Sequence, residues 1–129
     1  MSLIIRSNKM NFEQLVRYTL EYSNQLRYYH WQTKSYAQHE ALGKFYDGIA
    51  GTLDTIVEIW SGRFGNIKVD QGSVELVDYT DVESVIESAE TLREVWEEFG
   101  ETITYGDVRD QIDDLVTLIN QTIYLLRLS

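Results

Sequence analysis

Apolar residues recur at three-and-four spacing in four stretches of this chain, the signature of helices that each bury one stripe. In the first, Phe12, Leu15, Val16, Thr19, Tyr22, Leu26 and Tyr29 line up and predict a helix over about 10–32. A break at Thr33-Lys34-Ser35 leads into Leu42, Phe45, Ile49, Leu53, Ile56 and Trp60, a second helix over about 36–61, with Ser35 placed to cap it and Gly62 to end it. Val82, Val85, Ile86, Ala89, Leu92, Trp96 and Phe99 give a third over about 81–99, and Thr80 with Glu83 has the form of a capping box at its start. Val108, Ile112, Leu115, Ile119, Ile123 and Leu126 give a fourth over about 106–128. There Val116, Leu118, Leu125 and Leu128 widen the apolar face, which predicts burial on more than one side.

Between Gly62 and Tyr79 the period fails. Gly65, Asn66, Asp70 and Gly72 are turn formers, and Val69, Val74, Leu76 and Val77 predict an extended or one-turn segment. Four helices of roughly 20 residues, with short first and last links, are the elements of an all-α four-helix bundle. The long middle connection is expected to run along the bundle, as the crossover does in ferritin-like folds. The 129 residues form a single expected domain, 1–129, with material for one core, and the absence of proline leaves long helices permitted throughout.

Charge narrows the partners. With 21 acidic and 11 basic residues the formal net charge is −10, which opposes contact with phosphate backbones and anionic membranes, so neither nucleic acid nor membrane is expected. The opening MSLIIRSNKM has too short an apolar run for a signal peptide, which points to the cytoplasm. Without cysteine there is no disulfide, thiolate nucleophile or sulfur ligand, so a metal would have to be held by imidazole and carboxylate, a choice that suits iron, manganese or zinc.

A candidate for such a site lies on the second helix. At about 100° and 1.5 Å per residue, His39, Gly43, Asp47, Asp54 and Glu58 fall within an arc of roughly 100°. His39 and Asp54 nevertheless stand roughly 22 Å apart along the axis, too far to grip one ion within a subunit. If a second copy packs this face antiparallel across a two-fold axis, His39 of one chain approaches Asp54 and Glu58 of the other, twice per dimer. Gly43, Gly48 and Gly51 are expected to let the two backbones come close at its centre. The plainer reading is a solvated acidic face, although glycine inside an exposed helix costs about 1 kcal/mol against alanine without return.

These residues resemble the Dps-type miniferritins of the ferritin-like superfamily. The likeness runs through HWQTKSYAQHEALGKFYDGIAGTLDTIVE, residues 30–58, with its His-Trp pair, His-Glu pair and Asp-x-x-x-Glu ending. It extends more weakly through YGDVRDQIDDLVTLINQTIYLLRL, residues 105–128. The resemblance implies a ferroxidase centre at a two-fold interface, where iron(II) is oxidised before a mineral core grows inside a hollow dodecamer. It implies His30 and His39 as ligands from one subunit, Asp54 and Glu58 from the other, and Trp31 beside the centre as a sacrificial electron donor. The chain departs from the pattern at Gly43, where the family has a further carboxylate. Asp47, one turn later, could stand in only across a gap of about 6 Å, by a helix shift or a bridging water. The two histidines are also closer in sequence than is usual there, which implies a shortened loop, and a basic DNA-binding tail is absent.

Each residue has a plainer role beside this one: Trp31 as a packed aromatic, His39 as a partly exposed polar residue, and His30 as a satisfied core histidine on the apolar stripe of its helix. Asp107, Asp110, Asp113 and Asp114 suit the positive end of the fourth helix, with a cation path in a cage as the alternative. No Glu-x-x-His pair, serine-histidine-aspartate order or phosphate loop occurs. If Gly43 marks decay of the metal site, the bundle persists as a non-enzymatic oligomeric or adaptor protein. A zinc or manganese site serving assembly alone is the third reading.

Overall fold

In the computed structural model, which describes residues 9–70 and 75–129, four helices form an all-α bundle with no strand among the described residues. The first, α1 (Phe12–Gln32), opens on a reciprocal cap: Asn11 accepts from the Gln14 N–H at 2.8 Å, and Gln14 accepts from the Asn11 N–H at 3.0 Å. Ser35 then accepts from the Gln38 N–H at 3.2 Å and starts α2 (Tyr36–Phe64). The helix runs through Gly62, its expected end, because Gly62 keeps helical geometry. It stops where Gly65 takes a φ of +92°, a conformation side-chain-bearing residues rarely adopt, and returns its N–H to the Ser61 carbonyl at 2.9 Å.

The third helix, α3 (Val82–Glu101), is capped one residue later than the sequence suggests. Asp81, not Thr80, accepts from the Ser84 N–H at 2.7 Å, and a carboxylate is the better partner for the positive end of a helix dipole. The fourth, α4 (Gly106–Leu128), has no side-chain cap; Arg63 at the end of α2 pairs instead with Asp107 in its first turn at 2.9 Å. That guanidinium holds the Asp107 carboxyl below the usual carboxylate range. Residues 65–70 and 75–81 form neither helix nor strand. The expectations placed on residues 1–8, on Gly72 and on Val74 fall outside the described residues.

Ring contacts fix the helix directions. At one end Phe12, the first residue of α1, stacks on Trp60 near the end of α2 at 4.1 Å and meets Phe99 near the end of α3 at 5.8 Å. At the other end Tyr29 meets Tyr79, which precedes α3, at 6.3 Å. Helices α1 and α4 therefore run one way and α2 and α3 the other. The segment joining α2 to α3 touches α1 near both ends: the Lys68 N–H donates to Glu13, while Gln25 and Gln32 accept from the Val77 and Tyr79 N–H groups at 2.8 and 2.7 Å.

The predicted stripes meet in one core, in which Leu15, Leu26, Phe45, Ile49, Leu92, Trp96, Leu115 and Ile119 are sealed from solvent. The breadth of α4 is buried only in part. Val116 and Leu118 pack against the core, whereas Tyr124, Leu125 and Leu128 near its C-terminus are 62 %, 42 % and 67 % exposed. A β-carbon at Gly48 would stand 2.7 Å from Leu118 Cδ2, so this glycine serves the seam between α2 and α4 of the same chain, not an approach between copies. No helix is long and apolar enough to cross a membrane among the described residues.

Burial pushes the Tyr18 hydroxyl from an ordinary 10.0 up to about 12 and raises that of Tyr22 further. The folded chain thus keeps a proton that the unfolded chain releases, so stability is full below about pH 10 and is lost as pH rises through 12. The thermal midpoint is expected to fall across that window, and Tyr18→Phe to flatten the decline. A midpoint that holds steady to pH 12 contradicts this linkage.

Candidate metal centre

The turn Thr33-Lys34-Ser35 is short because each of its side chains with a hydroxyl is used: Thr33 Oγ1 accepts from the Ser35 N–H at 3.2 Å and donates to Gln38 at 2.7 Å. It folds the end of α1 back on the start of α2 and lays the two histidine rings face to face, with centroids 3.7 Å apart and planes 14° from parallel. His30 Nδ1 bonds the carbonyl of His39 at 2.6 Å, and His39 Nδ1 bonds the carbonyl of His30 at 2.8 Å. A carbonyl only accepts, so both Nδ1 atoms carry the proton and donate. In the neutral ring that leaves the Nε2 lone pair free on each, the tautomer a metal-ligating histidine uses.

Aromatic side chains bracket the pair. Tyr36 lies over His39 at 6.4 Å, and Tyr46 meets His30 edge-on at 5.4 Å while the Arg27 guanidinium covers its ring at 4.5 Å. Both histidines are half-buried. Gly43 is what admits the His30 ring, because a β-carbon there would stand 3.1 Å from Cε1 and 3.4 Å from Nδ1. The position where the resemblance expects a carboxylate is thus roofed by imidazole within the same chain, and Gly43, like Gly48, is used inside the subunit. Gly51 alone of the three faces open space.

The remaining candidates sit apart. Asp47, Asp54 and Glu58 are exposed on α2, and none enters an ion pair or hydrogen bond among the described residues. Within one chain no three histidine or carboxylate side chains converge to hold an ion among the described residues. That agrees with the axial separation already noted between His39 and Asp54. Trp31 is 67 % exposed, so it is not the packed aromatic of the plainer reading. His30 is not a core histidine either, since it is only half-buried and its partner is a backbone carbonyl nine residues on.

Tyr36 and Tyr46 escaped the sequence reading because tyrosine carries no motif; their helical offsets of three and seven positions from His39 are a signal only once the ring pair is known. The sequence model of a family of unknown function (DUF5856) matches residues 30–126, from His30 at the end of α1 to near the end of α4. No curated protein and no solved structure matches.

Proposed function

The chain belongs to the DUF5856 family, and we propose, on the strength of its histidine pair, that it is a ferritin-like bundle of Dps type that pairs with a second copy and binds iron(II) at two symmetric interface sites. The observation that carries this reading is the reciprocal Nδ1-to-carbonyl bonding of His30 and His39, which holds two imidazoles side by side with both Nε2 atoms available. In each site His30 and His39 of one subunit would act with Asp54 and Glu58 of the other, and Asp47 as an auxiliary. Two imidazoles and two carboxylates form a donor set that suits iron and also accepts manganese or zinc.

Further features support an interface on this face. Asp54 and Glu58 have no side-chain partner among the described residues, and Trp31, Tyr36 and Leu20 leave apolar surface open on α1 and α2 at 67 %, 76 % and 49 % exposure. The long connection between α2 and α3 would be the crossover of a ferritin-like fold, passing along α1 from Glu13 to Gln32. The assembly would be a dimer at least and a dodecamer if the iron is stored, working in the cytoplasm without nucleic acid or membrane. The reaction is oxidation of iron(II): two ions each give one electron to hydrogen peroxide, which takes up two protons and leaves as two waters. Trp31, next to His30 in the chain and exposed, would surrender an electron when iron is short.

Gly43 favours a second reading. With no oxygen ligand at that position the histidine pair can serve assembly alone, through zinc or manganese or without metal, in a non-enzymatic oligomer. Anaerobic iron(II) titration of the wild-type chain and of His39→Ala, with light scattering on both, separates the two. Saturable binding that weakens at least tenfold in His39→Ala, in a chain that is dimeric or larger, is the expected result. Binding indifferent to the substitution removes the iron proposal, and a strictly monomeric chain removes the shared site.

A further inference from the structure

Helices α1 and α3 touch more sparsely than the other neighbouring pairs, and the seam between them opens into a cleft of about 440 Å³. The cleft is long. Its α1 wall runs from Tyr18 through Tyr22 to Tyr29, about 16 Å along the axis. Its volume is in the range of small-molecule sites, roughly 300–1,000 Å³. The walls are fixed, not slack: the Tyr22 and Ser88 hydroxyls share a hydrogen bond of 2.8 Å across the floor, and Gln25 both donates to the Val77 carbonyl and accepts from its N–H, each at 2.8 Å.

The chemistry of the lining has one sign. Three carboxylates, Glu21, Glu75 and Glu87, stand along the cleft, and neither lysine nor arginine lines it. Arg17 holds Glu21 at 2.9 Å, whereas Glu75 and Glu87 are exposed and enter no ion pair among the described residues. Tyr29 adds an independent sign of a ligand. Only 5 % of this residue is exposed, yet its hydroxyl has no hydrogen-bond partner among the described residues. No fully buried side-chain oxygen lacks a partner there, so the Tyr29 hydroxyl is not sealed in, and the cleft it lines is the space it opens on. Open to the cleft, that hydroxyl can bond whatever fills it, water or a ligand.

We infer that this cleft binds a linear aliphatic polyamine, its ammonium groups at the Glu75 and Glu87 carboxylates and the Tyr29 hydroxyl, its methylenes along the tyrosine faces. A tyrosine face attracts a cation and accepts a hydrocarbon chain equally well, and alternating ammonium and methylene groups match a wall that alternates carboxylate and ring. An anion meets three carboxylates, of which only Glu21 has a cation beside it. A bare metal ion lacks three converging ligands among the described residues. The inference is independent of the histidine pair, which lies at the turn between α1 and α2.

Calorimetric titration of the full chain with spermidine, at a fixed ionic strength of about 0.15 M, tests it. Glu87→Gln and Tyr29→Phe alter the cleft, while Asp70→Asn removes one exposed charge outside it. The expected result is one saturable site that weakens about tenfold in Glu87→Gln and measurably in Tyr29→Phe, with Asp70→Asn unchanged. Equal losses in Glu87→Gln and Asp70→Asn would mean that the polyamine only screens a net charge of −10, and the inference fails. It fails too if no saturable heat appears, or if magnesium at equal ionic strength displaces spermidine fully. Glu87 is exposed on α3, so its variant keeps the fold, and matching thermal midpoints verify that.

Discussion

Trp96→Ala is expected to lower the unfolding free energy by about 3–5 kcal/mol, the usual cost of emptying a buried tryptophan site. The side chain is wholly sealed from solvent and stands edge-on to Phe99 at 6.3 Å. Its indole N–H donates to Thr19 Oγ1 at 3.0 Å, and Thr19 passes its own proton to the Leu15 carbonyl at 2.8 Å. One residue of α3 thus fills volume and satisfies a buried hydroxyl of α1, across two helices that otherwise touch sparsely. Alanine removes both contributions, and the surrounding Leu15 and Leu92 side chains can collapse into the space only partly. Trp96→Phe keeps most of the volume and forfeits the hydrogen bond, so it should cost about 1–2 kcal/mol. Urea unfolding with an unchanged slope reads both values. A cost below about 1 kcal/mol for the alanine variant would mean that α3 is not anchored to α1 through this residue.

That anchor was legible in the chain because Trp96 falls on a seven-member apolar stripe, and periodicity of that length specifies burial whatever the partner. All four helices were legible for the same reason. Their ends were less so. Thr80–Glu83 and Asp81–Ser84 are overlapping cap candidates one residue apart, and only the geometry of the first turn decides between them. Gly62 looked like a stop because glycine weakens helices, yet glycine ends a helix when its φ turns positive, which happens at Gly65. The width of the α4 stripe overstated its burial, since Leu125 and Leu128 fall outside the narrower face on which Ile123 and Leu126 enter the core.

The candidate site was legible in its residues but not in its contacts. His30 and His39 stood out by type and spacing, whereas their stacking depends on how Thr33 and Ser35 close the turn between two helices. Gly43 and Gly48 were recognisable as places where something comes close, but a sequence does not say what. The cleft between α1 and α3 left no mark at all, because its lining comes from three separate segments, none of which carries a motif of its own.

Gly43→Val is expected to weaken iron(II) binding about a hundredfold, more than His39→Ala, because it strikes both histidines through one position. Even the β-carbon would stand 3.1 Å from His30 Cε1, 3.4 Å from Nδ1 and 3.9 Å from Nε2, so the Cε1 corner of the ring lies against the glycine. Two further methyl groups need the volume that the imidazole fills. The ring must then swing out, which breaks its bond to the His39 carbonyl and removes the stacking face against His39. His39 keeps its bond to the His30 backbone carbonyl but loses the stacked ring that fixes its plane, so the two Nε2 atoms are no longer held side by side. The helix itself should survive, at a cost of about 1–3 kcal/mol for the forced rearrangement. Gly62→Ala is the matched control: a β-carbon there meets nothing within 4 Å, so the variant should bind iron like the wild type. It should also gain about 0.5–1 kcal/mol from better helix propensity. Anaerobic titration of the three chains reads the binding, and thermal melting reads the stability. If Gly43→Val binds iron(II) as tightly as Gly62→Ala, the stacked histidines are a structural clasp between α1 and α2, and the metal must be sought elsewhere on the bundle.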